Sequence, residues 1–284
     1  MGVYFRPQAL EDALDALSET PLAILAGGTD FYPARVGQPL DDDVLDITAI
    51  DALRGISQDE RGWRIGALTT WTDLIRSDLP PAFDGLKAAA REVGGVQIQN
   101  VGTIAGNICN ASPAADGVPP LMALDASVEL ASAGGTRTVP LADFITGNRA
   151  TARAADELVT GILVPSVAAD AQSAFLKLGA RKYLVISIVM AGLVIERAGN
   201  TVARARIAVG ACSPVARRLA SLEAALAGKP LTAALGEAVE PQHIEAALSP
   251  IDDVRGSAGY RNDAALTVVR RGLSDLGVRM AGDA

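Results

Sequence analysis

The sequence has few of the side chains that catalytic and metal sites use most often. One histidine and two cysteines occur in 284 residues. His243 lies in PQHIEAAL, a pattern typical of the polar face of a helix, so we predict a solvent-facing ring. Cys109 and Cys212 form no CxxC pair, and a zinc ion or an iron–sulfur cluster normally needs about four ligands. We therefore expect neither a metal site nor a Ser–His–Asp or Cys–His mechanism in this chain.

Basic clusters and long apolar runs are also missing. Charged residues make up 20%, the net charge is −8, and Lys and Arg form no block longer than pairs such as Arg217–Arg218. Binding to nucleic-acid phosphates depends on clustered basic residues, so nucleic acid is not an expected partner. No apolar run approaches the roughly 18 residues that indicate a transmembrane helix. The N-terminus, MGVYFRPQALEDALD, lacks the apolar core of a signal peptide, and we predict a cytoplasmic protein.

Small and apolar residues dominate instead. Hydrophobic residues make up 49% of the chain, which also contains 28 glycines. A chain of this length and composition can bury a sizeable core without disulfide or metal staples. It is compatible with two domains or with one large one.

The first part of the chain mixes helical and strand patterns. Residues 7–17 have helical spacing with Pro7 in the first turn, a position that proline favours. Residues 22–26 form a short apolar run that ends in two glycines, which is typical of a buried strand that leads into a tight loop. Ser112–Pro113 predicts the start of a further helix, with serine as the cap.

The second part of the chain reads as strands followed by helices. AFLKLG, ISIVMAGLVIER and TVARARIAVG predict three strands, and this order is typical of an α+β unit. In the last strand Arg204 and Arg206 alternate with apolar residues, which predicts one solvated face. PSVAADAQ, at 165–172, is a predicted linker. We therefore place a domain boundary near residue 168.

Two loops of small residues stand out, LAGGTDF at 25–31 and GTIAGN at 102–107. Glycine reaches positive φ and lets backbone N–H groups approach a ligand closely. Successive N–H groups can form a nest that binds phosphate oxygens without Lys or Arg. The Thr29 and Thr103 hydroxyls and the Asn107 amide can donate further hydrogen bonds.

A simpler interpretation of these loops remains open. GGTD can be an ordinary turn in which Thr29 or Asp30 caps the next segment. Neither loop is followed by GKS or GKT, and neither matches GxGxxG after a strand, so neither is a P-loop or Rossmann signature. Two such loops in one chain suggest a clamp from both sides.

At this point the sequence resembles a known family. AGGTDF at 26–31 and IQNVGTIAGNICNASPAAD at 98–116 are similar to the two flavin-contacting signatures of the FAD-binding, or medium, subunit of molybdenum hydroxylases. This family includes carbon monoxide dehydrogenase and xanthine dehydrogenase. The resemblance extends through RIGALTTWTDL (64–74), FLKLGARK (175–182) and DDVRGSAGYR (252–261) and covers the whole chain. Such an ordered set of matches is more specific than either loop alone.

The resemblance implies an α+β chain of two domains. A two-lobed FAD-binding α/β domain, 1–167, would have a small lobe at about 1–55 and a larger lobe at about 56–167. A C-terminal α+β domain, 168–284, would hold a three-stranded antiparallel sheet with helices. The FAD pyrophosphate would lie between the two loops. The implied FAD-binding residues are Leu25, Ala26, Gly27, Gly28, Thr29, Asp30 and Phe31 in the first loop, and Thr103, Ile104, Ala105, Gly106 and Asn107 in the second.

Two implied FAD-binding residues lie outside the loops. Asp116, in SPAAD, matches a position that contacts the ribityl or phosphate region of the flavin. Lys177, in FLKLG, matches a basic residue beside the flavin. Taken from the residues alone, Asp116 is a cap or turn residue and Lys177 a solvated strand lysine.

Several positions depart from the pattern of the family. Ala105 stands where a second glycine is usual, and Gln99 replaces a common Arg. Trp71 replaces a common His, which we interpret as a packing residue. Tyr183 is predicted to be a buried residue at a strand end, with stacking on the flavin as the alternative. Cys109 is predicted to be a small core residue rather than a redox thiol.

The resemblance implies an oxidoreductase subunit that carries FAD. Electrons would pass from a molybdenum cofactor on a large partner chain to [2Fe–2S] clusters on a small partner chain, and from there to the FAD. The three chains would form a heterotrimer or a dimer of heterotrimers. The external acceptor would be NAD⁺, a quinone, oxygen or another carrier. No catalytic side chain is expected here, because the flavin supplies the chemistry. The alternatives are a nucleotide-binding or interface module without redox activity and a stand-alone flavoenzyme.

Overall fold

The structure is a computed structural model that describes residues 2–37 and 41–282. The strands in chain order are β1 Tyr4–Phe5, β2 Ala23–Leu25, β3 Val44–Asp46, β4 Ile56–Asp59, β5 Gly62–Gly66, β6 Ser127–Ser132, β7 Gly135–Pro140, β8 Ile145–Gly147, β9 Ala150–Thr151, β10 Leu158–Pro165, β11 Gln172–Leu178, β12 Val189–Ala198, β13 Thr201–Gly210 and β14 Arg217–Arg218. The α-helices are α1 Leu10–Glu19, α2 Trp71–Arg76, α3 Asp84–Glu92, α4 Val96–Val101, α5 Ile104–Asn110, α6 Val118–Ala123, α7 Leu141–Phe144, α8 Ala220–Leu226, α9 Pro241–Glu245 and α10 Ala258–Gly282.

The first sheet is small and parallel, with strand order β1-β3-β2. The predicted helix is present as α1, and its buried Leu14 and Leu17 pack in one cluster with Leu45 of β3. It begins at Leu10 rather than near Pro7, because the chain is still extended at Ala9. Strand β2 ends at Leu25, which is buried, and the first glycine loop begins directly at this strand end.

The second sheet is antiparallel, with strand order β4-β5-β10-β6-β7. Helices α2, α3, α5 and α6 pack with it around one core that contains Trp71, Phe83, Ile104 and Leu121. The prediction that a helix begins at Ser112 is wrong, because residues 112–117 form turns and α6 begins only at Val118. Prolines are tolerated in the first turn of a helix because the N–H groups there have no helical partner.

The third sheet is antiparallel, with strand order β11-β12-β13-β14. The three predicted strands are confirmed as β11, β12 and β13, and the short β14 adds a fourth. The long helix α10 packs against β11 and β12 and contributes Val269 and Leu273 to the core. Among the described residues, no helix is long and apolar enough to cross a membrane.

The solvated face predicted for β13 is wrong at Arg206, which is buried. Helix α6 packs on this face, where Gly192 and Gly210 leave room for Pro119 and Pro120. Arg206 Nε donates to the Ala123 carbonyl at 2.8 Å. Its Nη1 lies 2.6 Å from a Glu196 carboxylate oxygen. Alternation of charge along the strand did not predict this burial, because the covering helix comes from a distant part of the chain.

The solvent-facing prediction for His243 is also wrong. The side chain is buried, and its Nδ1 accepts a hydrogen bond from the Glu240 N–H at 3.0 Å. Helix α9 packs against α10, and the neighbouring Ile244 lies in the same core as Leu276. His243 therefore has a local structural role at the start of α9.

Candidate cofactor site

The first glycine loop is held against the segment before the second. A Cβ atom on Gly27 would lie 2.0 Å from the Val101 carbonyl oxygen, which is too close for any side chain. Gly28 has φ +70°, a backbone conformation that L-residues rarely adopt. A Cβ there would also lie 2.7 Å from the Tyr32 ring. The two glycines are thus required for different reasons, close approach at Gly27 and backbone conformation at Gly28.

The second glycine loop forms the start of helix α5. Thr103 is the N-cap, and its Oγ1 accepts a hydrogen bond from the Gly106 N–H at 2.9 Å. The Ile104 N–H donates to the Thr69 carbonyl at 3.0 Å, and the Trp71 N–H donates to the Gly102 carbonyl at 3.2 Å. Local capping and these two bonds fix the position of the loop beside α2.

The two loops line a common cleft of about 690 Å³. This volume lies within the range of about 300–1,000 Å³ that is usual for ligand and cofactor sites. The predicted residues in its lining are Ala26, Gly27, Gly28, Thr29, Asp30, Phe31, Thr103, Ala105, Gly106 and Asn107. Leu25 and Ile104 lie behind the wall in the core. Asp116 and Lys177 lie outside this lining.

The cleft contains a polar atom that lacks a partner. Asn107 Oδ1 is buried and accepts no hydrogen bond from any described residue. A buried polar group without a partner has a substantial free-energy cost. A ligand hydroxyl or amide that donates to this oxygen would remove that cost. The site thus combines close backbone approach, positive φ and an unsatisfied acceptor in its wall, which fits a nucleotide cofactor.

Sequence reasoning missed the basic side chains of the cleft. Arg35, Arg149 and Arg153 all contribute to its lining. Arg35 lies 3.8 Å from the centre of the Phe31 ring. Arg149 and Arg153 lie far from both loops in sequence, and they reach the cleft through the β8–β9 pair and the turn that follows it. No local motif marks them, whereas Arg35 lies close enough to GGTDF to have been considered.

Two predicted packing residues also face the cleft. Trp71 is fully buried, as predicted, yet it lies in the cleft wall. Cys109 is exposed in this wall, so its prediction as a core residue is wrong. Although solvent reaches Cys109 at the cleft, the protein packed around its thiol raises the pKa to about 11. The thiol is therefore protonated near neutral pH and a poor nucleophile.

Asp116 and Lys177 form an ion pair with each other. Lys177 Nζ donates to Asp116 Oδ2 at 2.7 Å, and Ser187 Oγ donates to Asp116 Oδ1 at 2.6 Å. The Lys177 and Asp116 side chains are only 7% and 9% exposed. Burial raises the pKa of Asp116, and the Lys177 charge and the two hydrogen bonds offset only part of that rise. The prediction from the residues alone of a solvated strand lysine is wrong, because Lys177 is buried.

Lys177 also lines a second, smaller cavity with Glu92, Phe175 and Arg181. The following loop, 179–188, carries Tyr183, which is exposed rather than buried as predicted. The Tyr183 ring has the Lys182 ammonium 5.1 Å from its centre.

Comparison with known proteins assigns each half of the chain to a known domain family. Residues 1–167 match the FAD binding domain in molybdopterin dehydrogenase, and residues 173–276 match the CO dehydrogenase flavoprotein C-terminal domain. The nicotinate dehydrogenase FAD-subunit of Eubacterium barkeri is 39% identical over 207 residues, 68% of each chain. The carbon monoxide dehydrogenase medium chain of Hydrogenophaga pseudoflava is 32% identical over 284 residues, 98% of each chain. A solved structure of carbon monoxide dehydrogenase from H. pseudoflava, lacking the Mo-pyranopterin moiety, has a TM-score of 0.88 at 32% identity, covering 97% of this chain and 96% of that one.

These matches, with the geometry of the cleft, define the class of protein as an FAD-binding flavoprotein. More specifically, the chain belongs to the family of FAD-binding, or medium, subunits of molybdenum hydroxylases, of the carbon monoxide dehydrogenase and xanthine dehydrogenase type. The predicted α+β fold class, the FAD cofactor and the assignment as an oxidoreductase subunit are confirmed.

Proposed function

We propose that this chain is the electron-transfer subunit of a multi-subunit molybdenum hydroxylase. The chain accepts electrons from [2Fe–2S] clusters on a partner and passes them to an external acceptor, such as NAD⁺, a quinone or oxygen. Bound FAD supplies the redox chemistry, and the protein holds it and determines its surroundings. No side chain of this chain acts as a general acid or base in the proposed function.

The observation that carries this proposal is the way in which the two glycine loops face each other. The loops line one cleft, and Gly27 lies against the Val101 carbonyl oxygen so that no side chain separates them. Backbone N–H groups in such a position can bind an anionic pyrophosphate. Arg149 and Arg153 add positive charge to this cleft in a chain with a net charge of −8, whereas Arg35 is paired with Asp42 at 2.6 Å.

We propose distinct roles for the predicted site residues. Residues 26–31 and 103–107 hold the pyrophosphate and adjacent groups through the loop backbones, the threonine hydroxyls and the Asn107 amide. Leu25 and Ile104 support the two loops from the core. Asp116 positions Lys177, which contributes a fixed ammonium group at the crevice between the two halves of the chain. The same proposal divides the chain into domains at 1–167 and 168–284.

The partners follow from the proposed route of the electrons. A large chain with the molybdenum cofactor and a small chain with the [2Fe–2S] clusters would assemble with this one as a heterotrimer or a dimer of heterotrimers. The relatives support this arrangement, because they are named as medium chains and FAD subunits of dehydrogenases. A cytoplasmic location stays a prediction.

Removal of FAD from the co-produced complex tests the proposal. We expect the intact complex to release FAD at about one per chain, and the substrate-reduced clusters to transfer electrons to the external acceptor. After FAD removal the clusters should still be reduced, but transfer to the acceptor should stop until FAD is added. Unchanged transfer without FAD would contradict the electron-transfer function. Binding of ADP, but not of FAD, would favour the nucleotide-binding module instead.

A further inference from the structure

The segment DDVRGSAGYR, at 252–261, ends in a buried arginine that the proposed function does not use. Arg261 lies in the first turn of α10, and its side chain is only 4% exposed. Its Nη2 donates to Asp253 Oδ1 at 2.7 Å. A buried charge is costly unless it is paired and hydrogen-bonded. An arginine at this position thus calls for a role that an apolar side chain could not fill.

Arg261 holds two backbone carbonyl groups at the ends of neighbouring strands. Its Nη1 donates to the Ile188 carbonyl at 2.6 Å and to the Ala211 carbonyl at 2.9 Å. Ile188 directly precedes β12, and Ala211 directly follows β13. The Ile188 N–H donates in turn to the Leu178 carbonyl at 2.8 Å, at the end of β11. Ile188 is therefore fixed on both sides, by β11 through its N–H and by Arg261 through its carbonyl.

The residue before Ile188 closes the buried ion pair of the site. Ser187 is 2% exposed, and its Oγ donates to Asp116 Oδ1 at 2.6 Å. The other oxygen of this carboxylate, Oδ2, accepts a hydrogen bond from Lys177 Nζ at 2.7 Å. Because each peptide unit is planar, few soft torsions separate the anchored Ile188 carbonyl from Ser187. The Ser187 hydroxyl is therefore held in place beside Asp116.

We propose that Ser187 and Arg261 are positioning residues for Lys177 and thereby tune the redox potential of the bound FAD. This inference rests on the proposed function, in which Lys177 contributes a fixed ammonium group to the cofactor site. Ser187 occupies one oxygen of Asp116, so that only the other oxygen binds the Lys177 ammonium. Arg261 holds the backbone from which Ser187 makes this bond.

The sign of the effect follows from the charges. The Lys177 and Asp116 side chains are 7% and 9% exposed, so water and salt screen them little. Reduced FAD carries the added electrons, so a fixed ammonium group favours the reduced cofactor over the oxidised one. Without the Ser187 bond, both oxygens of Asp116 are available to Lys177 and neutralise its ammonium more completely. The affinity for reduced FAD should then fall relative to that for oxidised FAD.

A redox titration of the full-length chain loaded with FAD tests this proposal. We expect Ser187→Ala to retain FAD and to lower the ratio of the affinities for reduced and oxidised FAD about tenfold. For a two-electron couple, this change equals a fall of about 30 mV in the midpoint potential. Arg261→Lys should lower the ratio about threefold, because lysine keeps the charge but lacks the planar fork of donors.

A double variant and a control separate positioning from a general loss of structure. Arg261 acts through Ser187, so Arg261→Lys should cause little further shift in a chain that already carries Ser187→Ala. Arg270→Lys is the matched control, because Arg270 lies on the same helix and donates to the Val239 carbonyl through Nε and Nη2. The potential of this control should equal that of wild type.

A further variant weakens the anchor at its other end. Asp253 is 26% exposed, so Asp253→Asn should fold, and it leaves Arg261 with a neutral acceptor. We expect a fall in potential no larger than that of Arg261→Lys. This variant tests the anchor even if Arg261→Lys does not fold.

Several results would overturn the proposal. These are a wild-type potential in Ser187→Ala, a wild-type potential in both anchor variants, an equal shift in Arg270→Lys, and additive shifts in the double variant. Each of them leaves the electron-transfer function untouched. A wild-type chain that takes up no FAD would overturn that function and this inference with it.

Discussion

The loop at 25–31 follows a strand and the loop at 102–107 begins a helix, although both combine small residues, a threonine and an amide or carboxylate side chain. In the first loop, Gly27 has a backbone carbonyl in the space where its side chain would be, and Gly28 has positive φ. In the second loop, Gly106 would place a Cβ 2.8 Å from a side-chain oxygen, that of Thr103. At Gly27 the obstacle is fixed backbone, and at Gly106 it is a rotatable hydroxyl.

This difference shows why similar sequences need not be equally sensitive to substitution. A backbone carbonyl held by the packing of two loops moves only if the loops separate. A threonine side chain can rotate away and lose one capping bond. We therefore expect the first loop to tolerate substitution of its glycines less well than the second loop. Ala105 in the second loop is consistent with this expectation, since helix α5 accepts its methyl group.

Gly27→Ala should have the largest effect. The new methyl would lie 2.0 Å from the Val101 carbonyl oxygen, so the two loops must move apart and the cleft must change shape. We expect FAD affinity to fall at least about 100-fold, equivalent to about 2.8 kcal/mol. Titration of the apo chain with FAD, followed by flavin fluorescence, measures this. Gly259→Ala on α10 is the control, because nothing lies within 4 Å of its added Cβ.

Gly28→Ala should have the next largest effect. An alanine at φ +70° costs about 1–2 kcal/mol, and its methyl also meets the Tyr32 ring. We expect FAD affinity to fall about 5- to 30-fold. Adding Tyr32→Ala removes the ring contact but leaves the backbone strain, so the double variant should recover only part of the loss. Full recovery in the double variant would mean that φ is not the controlling factor.

Gly106→Ala should mainly remove the helix cap. The methyl displaces Thr103 Oγ1 from its hydrogen bond with the Gly106 N–H, and loss of such a cap costs about 1 kcal/mol. Urea unfolding of the apo chain measures this loss. Thr103→Ala should lose more than Gly106→Ala, because it removes the same bond without the gain in helix stability that alanine brings at position 106. Adding Gly106→Ala to Thr103→Ala should therefore not increase the loss. Additive losses would contradict this account.

Ala105→Gly should have the smallest effect on the cofactor. Ala105 is buried within α5, where a glycine costs up to about 1 kcal/mol of helix stability. We expect a small fall in the free energy of unfolding and less than about a threefold change in FAD affinity. A large gain in FAD affinity would show that the second loop, like the first, needs glycine for close approach.

Sequence reasoning predicted the parts of the site that depend on local pattern. The buried strand β2, the glycines that follow it and the Thr103 segment are all visible as short runs of residues. It did not predict Arg149 and Arg153 in the cleft, because the β8–β9 pair brings them there from more than 40 residues away. Sequence reasoning also placed Arg206 and His243 in solvent, because the spacing of apolar residues along a strand or helix does not show which other element covers its polar face.

The clearest contrast lies at Asp116 and Lys177. Family resemblance pointed to both residues, but their 2.7 Å ion pair, closed by Ser187, was not predicted. The three residues come from a turn, a strand and a loop of different parts of the chain. Only the packing of the third sheet on helix α6 brings them together and excludes water from the pair.

By itself, then, the sequence determined the two loops and most strands and helices, because glycine spacing and apolar periodicity act over a few residues, and its resemblance to a known family indicated the class of protein and the cofactor. The tertiary structure alone decided which charged side chains are buried and which face the cleft. These outcomes depend on contacts between segments far apart in the chain, and burial of a charge is settled by the partner it meets there.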